Sequence, residues 1–179
     1  AATEVTRMVD VVDTTAPIIT VAPYITAQTN TNITVDVSTN EGTLNTSSHL
    51  FTENGSFDFV ATDASGNVAT KTVTITNIDK VAPVLTRLSI NPFALTTGDS
   101  YTDPGAMARD NADGDITSNI VVVNPVNTAN EGTYTITYNV VDAAGNVAEQ
   151  VTRTAIVTKP VVTGPSGGGG PSVPLLVSS

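Results

Sequence analysis

The sequence predicts an all-β chain built as two tandem sandwiches, and three observations carry that prediction. Thr makes up about one residue in six, only 4% of residues are aromatic and Trp is absent, a composition suited to strands and poor for helices. Apolar residues nowhere recur at helical spacing, whereas runs such as Thr70-Lys71-Thr72-Val73-Thr74-Ile75-Thr76 alternate at period two. A turn sequence also occurs twice, as Asp63-Ala64-Ser65-Gly66-Asn67 and as Asp142-Ala143-Ala144-Gly145-Asn146, each time between two alternating runs rich in Thr and Val. Asp, Gly and Asn supply the turn and the flanks supply two strands, so each copy reads as the last hairpin of a small β domain.

The order of elements follows from these signals. Val5-Thr6-Arg7-Met8-Val9-Asp10-Val11-Val12 reads as a strand and runs into Asp13-Thr14-Thr15-Ala16-Pro17. The same succession returns where Thr72–Ile78 leads into Asp79-Lys80-Val81-Ala82-Pro83, and where Val151–Val157 leads into Thr158-Lys159-Pro160. A closing strand with its linker thus occurs three times, against two hairpins. Residues 1–12 are therefore expected to be the closing strand of a preceding or neighbouring domain, residues 13–78 a first domain and residues 79–158 a second.

In the first domain strands are expected at Ile18–Val21, Asn32–Val37, weakly around Leu44–Phe51, at Ser56–Thr62 and at Val68–Ile78, with Asn54-Gly55 as a tight turn. Phe57, Phe59 and Ala61 share one parity and should face the core. In the second domain Val84–Ile90 opens, Thr96-Thr97-Gly98-Asp99 turns and Ser100–Tyr101 follows. Asp103-Pro104-Gly105 then breaks the ladder. Ala106–Arg109, Ile116–Val123 and a long run from Glu131 complete the set, and in that run Tyr134, Ile136, Tyr138 and Val140 share a face. Tyr134, following Gly132, suits a tyrosine corner, in which the hydroxyl ties back to nearby backbone. Residues 159–179 change to a Pro/Gly-rich linker with an apolar end, Pro171–Val177.

Composition excludes several functions. A formal net charge of −10, with few and scattered Lys and Arg, argues against nucleic acid and against an anionic membrane surface, and is compatible with divalent cations. Without Cys there is no disulfide, thiolate metal site or Cys nucleophile. No apolar run reaches the roughly 18 residues of a membrane span. The opening Ala1-Ala2-Thr3-Glu4 has neither a basic start nor an apolar run, which together with the orphan strand is expected of a segment of something longer.

Residues 79–157 resemble the bacterial immunoglobulin-like repeat found in surface-layer proteins, adhesins, multidomain secreted hydrolases and a pesticidal crystal toxin. The resemblance rests on Asp79 with Ala82-Pro83-Val84, Tyr101-Thr102-Asp103-Pro104-Gly105-Ala106, Asp110-Asn111-Ala112-Asp113-Gly114-Asp115-Ile116-Thr117, Gly132-Thr133-Tyr134 with Tyr138, and the Asp142 hairpin. Residues 13–78 resemble related repeats more loosely, through Asp13–Pro17 and the Asp63 hairpin; they lack the Tyr-Thr-Asp-Pro-Gly-Ala segment and the acidic loop. The resemblance implies two tandem immunoglobulin-like β-sandwiches, flanked by the orphan strand and the Gly-rich tail, in a secreted, cell-surface module that works as spacer or stalk. It implies no particular ligand.

In such a sandwich the last hairpin, the loop after the second strand and the point where the chain enters lie at one pole. In the second domain that gathers Asp79, Asp110, Asp113, Asp115, Asp142 and Asn146 as candidate calcium ligands, since calcium takes roughly six to eight oxygens. Asp110–Asp115 is not an EF-hand loop, because Val121 stands where the closing acid is needed. The competing reading is that Asp in such turns caps its own backbone and that acidic loops are merely solvated. The corresponding first-domain set, Asp13, Glu41 and Asp63, is poorer. His49, the one His, sits in a Ser-rich loop with no nucleophile elbow, and is read as a surface residue rather than a catalytic one.

The expected function is therefore non-enzymatic: a structural repeat segment or subunit of an extracellular bacterial surface assembly such as a surface layer, adhesin stalk or fibre. Glycan- or protein-binding adhesion module and accessory repeat of a secreted hydrolase remain alternatives. The expected partners are neighbouring repeats or identical subunits, joined end to end or by strand addition through residues 1–12.

Overall fold

The computed structural model describes residues 7, 8 and 11–161. Period-two alternation decides which side of each strand turns inward. In Ile33–Thr39, Ile33, Val35 and Val37 are buried while Thr34, Asp36 and Ser38 face solvent. In Gly55–Thr62, Phe59 and Ala61 are fully buried and Phe57 packs at the margin of the core, the parity expected from sequence.

The first sandwich comprises six strands: β1 (Ile19–Val21), β2 (Ile33–Thr39), β3 (Thr43–Leu44), β4 (Ser48–Phe51), β5 (Gly55–Thr62) and β6 (Val68–Ile75). One sheet runs β1-β2-β4 and the other β3-β5-β6, all antiparallel. Its core lies between the sheets, with Ile33, Val35, Val37 and Phe51 from one side meeting Phe59, Val73 and Ile75 from the other. Each such side chain, removed from water, contributes about 1.5–3 kcal/mol.

The second sandwich adds β7 (Val84–Arg87), β8 (Phe93–Thr96), β9 (Ala106–Asp110), β10 (Gly114–Asp115), β11 (Val121–Val123), β12 (Gly132–Asn139) and β13 (Val151–Thr158). The sheets run β10-β9-β7 and β11-β12-β13-β8. β8 pairs parallel with β13, Ala155 opposite Phe93, while the other pairs are antiparallel. Leu95, Ala106, Ile136, Tyr138, Ala155 and Val157 form the main core, and Ala108, Ile116, Val140 and Ala148 continue it toward the hairpin. Tyr134 makes the expected corner, its hydroxyl donating to the carbonyl of Asn130 at 3.1 Å.

Three expectations about elements are corrected. Val84–Ile90 is not one strand: the chain leaves the first sheet after Arg87 and crosses to the other as β8, a strand the sequence reading missed. Ser100–Tyr101 is not a strand; Tyr101 instead packs against Phe93. Ile116–Val123 breaks into a 3-10 turn at Thr117–Asn119 and the short β11. The break has a local cause, because Asp115 accepts the Thr117 N–H and the Thr117 hydroxyl bonds to Ala108, giving the backbone an alternative to the ladder. The orphan strand expected over residues 1–12 falls largely outside the described residues; Arg7, Met8, Val11 and Val12 are exposed and in no strand. The tail expected beyond residue 161 lies outside them as well.

Candidate functional site

The two Asp-Ala-x-Gly-Asn turns share one hydrogen-bond plan. In the first, Asp63 Oδ1 accepts the Asn67 N–H (2.8 Å), Asp63 Oδ2 accepts from Asn67 Nδ2 (2.8 Å), and Nδ2 also donates to the Asp13 carbonyl (3.1 Å). In the second, the corresponding bonds join Asn146 to Asp142 (2.7 and 2.7 Å) and to the Asp79 carbonyl (3.0 Å). Gly66 and Gly145 take φ of 90° and 93°, a conformation that favours glycine and explains its place in both turns. The linker Asp residues also match: Asp13 Oδ1 accepts the Thr15 N–H and Asp79 Oδ1 the Val81 N–H. The hairpin therefore fastens the linker that enters its own domain.

What differs is the surroundings. Asp13 is exposed, whereas Asp79 and Asp142 retain only 7% and 8% of their accessible surface. The first sandwich covers the second hairpin, with the Asn30 N–H donating to the Ala144 carbonyl (3.1 Å). The linker between the sandwiches is bonded along its length. Asn54 grips Ile78 through both backbone groups, donating to its carbonyl (2.9 Å) and accepting its N–H (2.8 Å). The Asp79 N–H donates to the Thr29 carbonyl (2.9 Å), and Lys80 Nζ donates to Asn32 Oδ1 (2.6 Å) and the Thr52 carbonyl (2.7 Å).

Of the five carboxylates expected to gather here, three converge. Ligand atoms of Asp79, Asp110 and Asp142 all lie within 4.8 Å of one another, the one such group among the described residues. They come from the linker, the end of β9 and the last hairpin. Asp79 Oδ2 and Asp110 Oδ2 are buried with no hydrogen-bond partner among the described residues. The two ion pairs found there, Arg153–Asp103 and Lys159–Glu131, do not involve these three carboxylates. At an effective dielectric of about 20, two unit charges 4.8 Å apart repel by about 3.5 kcal/mol. The arrangement therefore suits an oxygen-seeking cation.

Asp113 and Asp115 stand outside this group. Asp113 Oδ2 accepts the Ala143 N–H (2.8 Å) and so ties the acidic loop to the hairpin. Asp115 is exposed and caps Thr117; hydrogen bonds from the Thr117 side chain and backbone hold its carboxyl below the usual range. In the first sandwich, Asp13, Glu41 and Asp63 border an open cleft of about 370 Å³ but form no convergent group of three. His49 is not a plain surface residue: it is half-buried and stacks on Phe57 with ring centroids 3.7 Å apart.

A second polar constellation escaped the sequence reading. Arg153, fully buried, pairs with Asp103 (3.2 Å), donates to the Tyr138 hydroxyl (3.1 Å) and reaches the carbonyls of Leu88, Ile90 and Gly105. The Tyr138 hydroxyl donates to Asp103 at 2.7 Å, and Tyr101 is also in reach of it. Burial and the nearby Asp103 charge push the Tyr101 hydroxyl up to about 12; burial chiefly raises Tyr138 too. The network fastens the β7–β8 crossover and the Tyr-Thr-Asp-Pro-Gly-Ala segment to β13. Its signal was present in the pattern, since alternation puts Arg153 on the same face as Ala155 and Val157.

Paired sheets repeated along the chain and a hydrogen-bonded linker define a modular immunoglobulin-like β-sandwich protein. Residues 86–157, within its second sandwich, match the family described as "Bacterial surface protein, Ig-like domain". The chain is 33% identical over 120 residues to the outer cell wall protein of Brevibacillus brevis, covering 57% of this chain and 12% of that protein. It is 36% identical over 107 residues to an uncharacterized 81.3 kDa protein of Acholeplasma phage L2, covering 56% and 14%. The chain thus spans about one seventh or less of the length of these relatives. Among solved structures it is similar to a lipoprotein of Bacteroides thetaiotaomicron, with 25% identity, a TM-score of 0.41, and 45% and 40% of the two chains covered. The CBM51-2 and INT domains of Clostridium perfringens ZmpB, solved in complex with GlcNAc, match with 25% identity, a TM-score of 0.36 and coverage of 44% and 17%. No helix among the described residues is long and apolar enough to cross a membrane.

Proposed function

We propose that this chain is a non-enzymatic spacer segment of an extracellular bacterial surface assembly, with residues 13–78 and 79–158 as two domains held end to end. Its partners on this reading are neighbouring repeats or identical subunits, and surface layer, adhesin stalk and fibre are the assemblies it suits. The observation that carries the reading is the bonded linker. A flexible tether leaves its backbone to water, whereas Ile78, Asp79 and Lys80 are all held by groups of the first sandwich. A joint of that kind transmits orientation and load from one domain to the next. Similarity to an outer cell wall protein supports the surface location.

The reading is tested by NMR relaxation on the full chain and on Asn54→Ala. The two domains are expected to tumble as one body, and removal of the Ile78 grip is expected to cost about 1–3 kcal/mol and partly decouple them. Independent tumbling of the two domains in the unaltered protein would refute the spacer. Electron microscopy then separates the assemblies, with dispersed monomers at high concentration counting against the fibre.

A further inference from the structure

We propose that Asp79, Asp110 and Asp142 hold one calcium ion at the pole of the second domain, where the first domain covers it. The acidic cluster alone would not carry this; the orphaned Asp79 Oδ2 does. Asp79 is 7% exposed, its Oδ1 is engaged by the Val81 N–H, and its Oδ2 lies buried without a hydrogen bond among the described residues. Buried carboxylate oxygens are ordinarily satisfied, because an unmet acceptor is costly to keep from water. Asp110 repeats the pattern: Oδ1 accepts the N–H groups of Ala112 and Asp113, and Oδ2 is buried and unbonded. Both residues belong to the one convergent carboxylate group of the described chain.

The donor set selects the ion. All three ligands are carboxylates and the chain has no Cys, so zinc, which favours nitrogen and sulfur, is poorly served. Magnesium demands near-octahedral geometry and dehydrates reluctantly, whereas calcium accepts irregular oxygen sets completed by carbonyls and water. Each ligand comes from a different element, so the ion would clamp the linker, the acidic loop and the hairpin together. Existing bonds already preset them: Asn146 orients Asp142, and Asp113 fastens the loop to the Ala143 N–H. The site sits at the joint of the spacer and rests on that reading only for its mechanical consequence.

The test is calorimetric titration of the full chain with calcium chloride, together with thermal unfolding in calcium and in chelator. Saturable binding of one ion with a dissociation constant of roughly 10⁻⁴–10⁻³ M is expected, with the second domain's transition raised by about 5 °C. Asp110→Asn should weaken binding at least about tenfold while circular dichroism stays that of a folded β protein, and Asp115→Asn should bind as the unaltered chain does. Absence of binding heat and of any melting shift at about 10 mM calcium would overturn the site, as would full binding by Asp110→Asn. Magnesium binding as tightly as calcium would overturn the choice of ion. These outcomes are separate from the spacer test, since the titration reads the ion and the relaxation reads the tumbling, and a failed titration leaves the bonded linker in place.

Discussion

At the pole of the first domain, Asp63, Asn67 and Asp13 are joined by the same hydrogen bonds that join Asp142, Asn146 and Asp79 at the pole of the second. Yet the first set borders an open cleft and the second is buried. Two additions make the difference. The first domain packs over the second hairpin through Asn30, and the end of β9 brings Asp110 inward. A local motif thus specifies a turn and a fastened linker, and its neighbours decide whether the same carboxylates are solvated or concentrated. The contrast extends to the interior. Among the described residues the buried charged side chains are Asp79, Asp142 and Arg153, all from the second domain's stretch, while the first domain's core is apolar.

The largest test of that contrast is Arg153→Ala. It leaves Asp103, only 13% exposed, without its cation, and strips the Leu88 and Ile90 carbonyls of their donor, while the Gly105 carbonyl keeps the Leu88 N–H. Breaking a buried pair from one side costs about 3–5 kcal/mol. In calorimetry the second domain's transition should fall by more than about 10 °C while the first domain's holds. Equal movement of both would mean that the two sandwiches unfold as one unit.

A smaller test sets the two hairpins against each other. Asn146→Ala removes both side-chain bonds in a half-buried setting, beside the buried Asp79 and Asp142, and should cost the second domain about 1–3 kcal/mol. Asn67→Ala removes the same bonds in a more exposed setting and should cost the first domain less, because water replaces them. Matching losses, measured by chemical denaturation of the full chain, would show that the surroundings are irrelevant to the motif.

Much of this architecture was legible in the sequence because strand alternation and turn chemistry are local. Phe59 and Ala61 reveal their face by parity, and Tyr134 reveals its corner by its distance from Gly132. The β8 strand was not legible, since Phe93–Thr96 gains its ladder from β13, some 60 residues away along the chain, and nothing local announces a change of sheet. For the site, the hairpin and linker Asp residues could be placed at one pole, but the division of labour within Asp110–Asp115 could not. Asp110 turns inward, Asp113 ties the hairpin and Asp115 caps a 3-10 turn, and those roles depend on side-chain direction rather than spacing. Arg153 was hidden for a different reason: parity puts it on the inward face of β13, but a charged residue there reads as out of place until the Tyr138–Asp103 partnership is known.

The smallest effects are set by pH, and alkali should separate the two domains where acid does not. Asp63 is held below its ordinary value of 3.8, first by the Asn67 side chain and then by backbone N–H groups. Its folded value is depressed, so its contribution is present above 3.8 and is lost as pH falls through the lower folded value; acid should weaken the first hairpin. Tyr101 behaves in the opposite sense. Its hydroxyl is raised from 10.0 to about 12 by burial and by Asp103, so its proton is retained longer in the folded chain than in the unfolded one. Its contribution is complete below 10.0 and is lost as pH climbs toward about 12, which lowers the second domain's stability across that window. Asp115, in the second domain, is held low as Asp63 is, so acid should weaken both transitions, whereas alkali should lower the second. Tyr101→Phe should reduce the second domain's alkaline shift, leaving the part that belongs to Tyr138, and an undiminished shift would place the titrating group elsewhere.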